Sequence, residues 1–197
     1  MVKGLDLFRE HFKNFADRYV LIGGTACDLA MTEAGLTFRA TKDLDIVLCV
    51  EALDGPFVRA FWAFVQAGGY QVQQKSTGQK QFYRFQKPAN KNYPFMLELF
   101  ARQLDVLQVA EGSHLTPLPV EEDVSSLSAI LMDADYYRFI QAGRQYVGGL
   151  PVVGATHLIP LKARAWPIEI MPRRLRFRST SLLIGWRSGT PANCRPA

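Results

Sequence analysis

Leu5, Phe8, Phe12 and Phe15, together with Leu7, recur at close to helical spacing among charged residues, so residues 4–17 predict an amphipathic helix. A short apolar run, Tyr19 to Ile22, then meets Gly23-Gly24 and reads as a buried strand ending in a glycine turn. Residues 25–34 predict a helix closed by Gly35, and Asp43 to Val50 a strand. Phe57, Phe61, Phe64 and Val65 mark a second amphipathic helix, stopped by Gly68-Gly69. YQVQQKS, KQFYRFQKP and YPFMLELFAR then read as three strands, with turn signals at Thr77-Gly78 and Pro88-Ala89-Asn90. The stretch Leu104 to Val124 is loop-rich, with Pro117, Pro119 and a small acidic cluster at Glu121 to Asp123. After it come a strand in SLSAILM, a helix in DADYYRFIQAGRQ, a short edge hairpin in GGLPVVG and a helix starting within His157 to Trp166. This order predicts an α+β fold, a mixed β-sheet with helices packed mainly on one face.

The chain has 197 residues, 48% of them apolar, which suits one domain with a core of its own. No apolar run approaches the roughly 20 residues a membrane helix needs, and MVKGLDLFREHF mixes charges of both signs without an apolar stretch, so neither a membrane span nor a signal peptide is expected. Cys27, Cys49 and Cys194 are odd in number and far apart, which argues against a disulfide framework or a zinc cluster and for the reducing cytoplasm. His11, His114 and His157 have no metal-ligand spacing.

The net charge of +5 comes from one end of the chain. Residues 167–197 hold six Arg, four Pro and a single acid, Glu169, whereas residues 1–166 hold 17 basic and 17 acidic residues. The body is therefore neutral, and bulk charge gives no argument for a nucleic-acid groove there. The chain divides into a domain over residues 1–166 and an atypical Arg- and Pro-rich tail over 167–197, with Pro167 and Pro172 predicting that the last helix ends near Trp166.

The candidate chemistry lies in FRATKDLDIVL, Phe38 to Leu48. A strand alternates its side chains, so Asp43, Asp45 and Val47 share one face while Leu44, Ile46 and Leu48 take the other. Two carboxylates so close repel each other unless a cation lies between them, which makes the pair a clue to a magnesium site, although taken alone it reads more simply as a solvated strand end. Upstream, the backbone at Gly23 and Gly24 offers amides that can cradle phosphate; the same glycines also suit a tight turn for conformational reasons alone. Downstream, Glu98 is an acid in an otherwise apolar strand and needs a cationic partner or a metal.

The ordered set GGTA, a helix, RATKDLD, then YPFMLELFAR and HLIPLKARAW resembles the nucleotidyltransferase superfamily, and more closely its AbiEii-type branch of minimal nucleotidyltransferases found as bacterial toxins. The resemblance covers roughly residues 15–166. It implies a Mg2+-dependent transferase, with Mn2+ as a substitute ion, that moves a nucleoside monophosphate from an NTP to a hydroxyl of RNA, such as tRNA, or of protein. A neighbouring antitoxin protein would be its regulator.

On this reading Asp43, Asp45 and Glu98 are the metal-binding and catalytic carboxylates, and Gly23, Gly24, Thr25, Arg39, Thr41 and Lys162 form the nucleotide site. Thr25 would act as helix cap or phosphate donor. Arg39 would neutralise phosphate or hold its loop, and Lys162 would contact the nucleotide or lie on a solvated helix face.

Family members continue past the Lys-bearing helix with further helices, and this chain does not. Its tail reads as a shifted reading frame or as a disordered basic extension. Two other functions follow from that difference. One is a nucleotide-binding or protein-interaction module of the same fold with impaired turnover; the other is RNA binding through the tail, marked by a steep salt dependence.

Overall fold

The structure, a computed structural model, describes residues 2–39, 41–74, 80–102, 115–117 and 128–170. The turn at Thr77-Gly78, most of the Leu104 to Val124 stretch and the tail after residue 170 lie outside the described residues.

Among the described residues the fold is α+β. The strands are β1 (Tyr19–Ile22), β2 (Asp43–Leu48), β3 (Gln71–Gln74), β4 (Lys80–Gln86), β5 (Met96–Arg102), β6 (Leu115–Pro117), β7 (Ser128–Met132), β8 (Arg144–Val147) and β9 (Leu150–Val153). The helices are α1 (Leu5–Phe12), α2 (Gly23–Glu33), α3 (Gly55–Gly68), α4 (Ala134–Ala142) and α5 (Ala155–Ile170). The strands form one mixed sheet in the order β3-β4-β5-β2-β1-β9-β8. At its centre β2 runs antiparallel to β1 and parallel to β5. One edge of β5 is shared: β4 pairs with its first half, from Met96 to Glu98, and β7 with its second, from Phe100 to Arg102.

Local chemistry accounts for several boundaries. The Asp54 side chain caps α3 by accepting from the Phe57 amide at 2.9 Å, Pro56 lies in the first turn, and Gly69 ends the helix in the left-handed region at φ 62°. Asp133 caps α4 by accepting from the Asp135 amide at 2.9 Å. Gly148 and Gly149, both at positive φ, turn β8 into β9 and form the hairpin expected of GGLPVVG.

The core is an aromatic layer. Phe8 and Phe12 of α1 and Phe57, Phe61 and Phe64 of α3 are buried together, against Tyr19 of β1 and Phe85 of β4. These helices cover the sheet face that carries Leu21, Leu44, Ile46 and Leu97, while Asp43 and Asp45 alternate to the opposite face.

Two boundaries differ from expectation. The glycine pair is not a separate turn, because α2 begins at Gly23 directly after the extended Ile22. The last helix does not end near Trp166: α5 runs on to Ile170, through Pro160 and Pro167. A proline removes its own backbone donor and disfavours helix in the residue before it, yet a helix can continue past it with one hydrogen bond fewer.

Candidate functional site

Register places the acids. Ile22 of β1 faces Asp45 of β2, Asp45 faces Glu98 of β5, and Glu98 faces Arg84 of β4. These four residues form one row across four strands, and cross-strand partners share a face, with neighbouring strands about 4.8 Å apart. Asp43 lies two residues from Asp45 on that same face, opposite Met96. The three carboxylates predicted to act together are thus brought to one region of one face. Glu98 is buried and paired: its Oε1 accepts from Arg84 Nε at 2.7 Å and from Arg84 Nη2 as well.

The first turn of α2 closes the other side of Asp45. A Cβ on Gly23, whose φ is +66°, would overlap Asp45 Oδ2, and a Cβ on Gly24 would lie 2.5 Å from Thr41 Oγ1. Gly23 thus lets the backbone approach the acid closely, and Gly24 lets it approach Thr41. Thr25 is fully buried, and its hydroxyl donates to the Asp43 carbonyl at 2.9 Å, which fastens α2 to the start of β2. Its proton is thereby committed to the backbone, and the α2 N-cap, Ile22, has no side-chain cap.

The basic residues divide. The cations felt at Asp43 and Asp45 are Lys42, Arg84 and Lys162. Lys162, half-buried on α5, lowers the proton affinity of both Asp45 and Cys27, so it lies where α5 packs on α2. Arg39 is exposed over the Phe38 ring, 6.0 Å from its centroid, and its charge is felt at Cys27.

Burial pushes the Asp45 carboxyl up to about 6, helped by the negative charges of Glu98 and Asp43 and opposed by Lys162 and Arg84. Burial also raises Asp43, against the pull of Lys42 and Arg84. Repulsion among half-buried acids is the condition that a divalent cation relieves, and Asp43 and Asp45 are the carboxylates that would hold one here. Glu98 does not complete a set of three as it stands. Among the described residues no group of three or more His, Cys, Asp or Glu is arranged to hold a metal ion.

The folded chain holds the Asp45 proton more tightly than the unfolded chain, whose carboxyl titrates near 3.8. Ionisation therefore costs stability: the cost is absent below about pH 4, grows as pH rises towards about 6 and is complete above that. In the metal-free chain, Asp45→Asn is expected to raise stability near neutral pH by about 1–3 kcal/mol and to change it little below about pH 4. Urea denaturation in the presence of a chelator measures this, and a variant less stable than the parent at neutral pH would contradict it.

Arg84 is the residue that sequence reading missed. It stands between the aromatic residues Tyr83 and Phe85 in KQFYRFQ, a charge flanked by rings in the middle of a strand. The demand of Glu98 for a cation was the signal that could have found it. A cleft lined by residues including Asp17, Cys49, Glu51, Tyr137, Gln141 and Arg144 lies at the far end of β2. There Tyr137 Oη donates to Glu51 at 2.7 Å, and Arg144 Nη2 donates to the Ala16 carbonyl, tying α4 and β8 to the core.

No family model matches the chain, and no curated protein or solved structure matches it either.

Proposed function

We propose that the chain is a nucleotidyltransferase that moves a nucleoside monophosphate from an NTP to a hydroxyl group, with Mg2+, or Mn2+ in its place, held by Asp43 and Asp45. One observation carries this reading: the two acids share a sheet face, Asp45 lies directly against Gly23 at the opening of α2, and Lys162 is close enough to be felt at Asp45. The amides of the first turn of a helix have no partner within it and form its positive end, so a triphosphate at Gly23 and Gly24 would find donors there. A side chain at Gly24 would press on Thr41 beside those donors, and Lys162 would add a positive charge near them. Bound Mg2+ supplies neutralisation of the charge that builds on the leaving pyrophosphate. Glu98, once released by Arg84, would accept the proton of the attacking hydroxyl.

The acceptor on this reading is an RNA end, such as tRNA, or a protein hydroxyl, and a cognate antitoxin protein would regulate the transfer. Among the described residues no helix is long and apolar enough to cross a membrane. A second reading, a nucleotide-binding or protein-interaction module without turnover, is favoured by one specific contact, the commitment of Glu98 to Arg84.

Incubation with each labelled NTP, Mg2+ and total cellular RNA tests both. Label appearing in RNA or in the protein, and absent with Asp45→Asn, is the expected result. NTP binding without transfer would favour the second reading in its nucleotide-binding form, and neither binding nor transfer would overturn the transferase and leave only the protein-interaction module.

A further inference from the structure

We infer that Arg84 is an internal counter-cation of the acid row, and that a divalent cation recruits Glu98 only by displacing the Arg84 guanidinium from it. Three observations converge. Arg84 occupies the same cross-strand row as Asp45 and Glu98, so it reaches the acids from within the sheet and not from a surface loop. Two of its nitrogens, Nε and Nη2, fork onto one oxygen of a carboxylate that is 9% exposed. Its charge is also felt at Asp43 and Asp45, the two acids beyond its direct partner.

A buried carboxylate row needs positive charge in order to fold, and Arg84 supplies it without any ion. The same charge then opposes an incoming cation, because like charges a few ångströms apart in a partly buried site repel strongly. Metal affinity is thereby held down while the Arg84–Glu98 pair is closed, and it rises when the pair opens. The inference rests on the reading of Asp43 and Asp45 as metal-binding, and it adds a restraint on that site which lies in the chain itself.

The test is Mn2+ binding to the full chain, followed by the loss of the free-ion electron paramagnetic resonance signal. Arg84→Gln is expected to bind Mn2+ at least about tenfold more tightly than the parent chain, and adding Asp45→Asn to it should abolish that gain. Arg84→Lys keeps the charge without the fork and should stay within about threefold of the parent. Should Arg84→Gln fail to fold, the parent chain still decides the matter: the Arg84 Nε–H proton resonance should lose its protection from solvent exchange on saturation with Mg2+, and an unchanged signal would overturn the inference.

Equal or weaker Mn2+ binding by a folded Arg84→Gln would overturn the inference and leave the transferase reading standing. Binding by Arg84→Gln but not by the parent would support the inference. Absence of binding by both would sink the inference together with the metal-dependent reading.

Discussion

Phe12→Ala is expected to cost the fold about 3–5 kcal/mol, a large part of the roughly 5–15 kcal/mol by which domains are stable. Phe12 closes α1 and is fully buried. Its ring centroid lies 4.5 Å from that of Phe8, 5.5 Å from Phe64, 5.9 Å from both Phe57 and Phe61, and 6.1 Å from Tyr19. One side chain thus joins α1, α3 and β1, and truncating it leaves a cavity walled by rings that cannot all shift inward without separating the helices. Phe12→Leu keeps most of the volume and should cost less than half as much. Leu7, on the same helix but 44% exposed, should tolerate alanine to within about 0.5 kcal/mol. Urea denaturation of the three variants measures the series. A Phe12→Ala loss near that of Leu7→Ala would mean that the aromatic layer is loosely packed.

That layer is legible in the chain because it is local. The spacings Leu5, Phe8, Phe12 and Phe57, Phe61, Phe64 put each set on one helix face, and the glycine pair at residues 68 and 69 marks where α3 stops. The common face of Asp43 and Asp45 is legible for the same reason, since strand alternation needs only neighbours. The features that were not legible depend on distant residues. That Glu98 stands opposite Asp45, and Arg84 opposite Glu98, is set by pairing across β2, β5 and β4, which no local pattern encodes. The sharing of one edge of β5 between β4 and β7 is of the same kind. Local rules misled in two places. Two glycines signal a turn, but here Gly23 takes its left-handed conformation as the opening residue of α2. Pro167 signals a stop, but α5 continues to Ile170.

Gly23→Ala is expected to cost about 2–5 kcal/mol, in two separable parts. The first is conformational: at φ +66° an L side chain is strained by about 1–2 kcal/mol. The second is steric, because the new methyl would occupy the place of Asp45 Oδ2 and push the carboxylate out of its row, or β2 away from the start of α2. Gly35 separates the two parts. Its φ is +71°, but a Cβ there meets nothing within 4 Å, so Gly35→Ala should show the conformational cost alone. Removing the obstructing atoms with Asp45→Ala in the Gly23→Ala background should recover the steric part, about 1–3 kcal/mol, as a coupling energy in a double-mutant cycle. Thermal or urea denaturation of the four chains in the cycle, with Gly35→Ala beside them, measures both parts. If Gly23→Ala cost no more than Gly35→Ala, and showed no coupling to Asp45, the close approach of helix start and acid would carry no energy. Glycine would then be required at that position by backbone conformation alone.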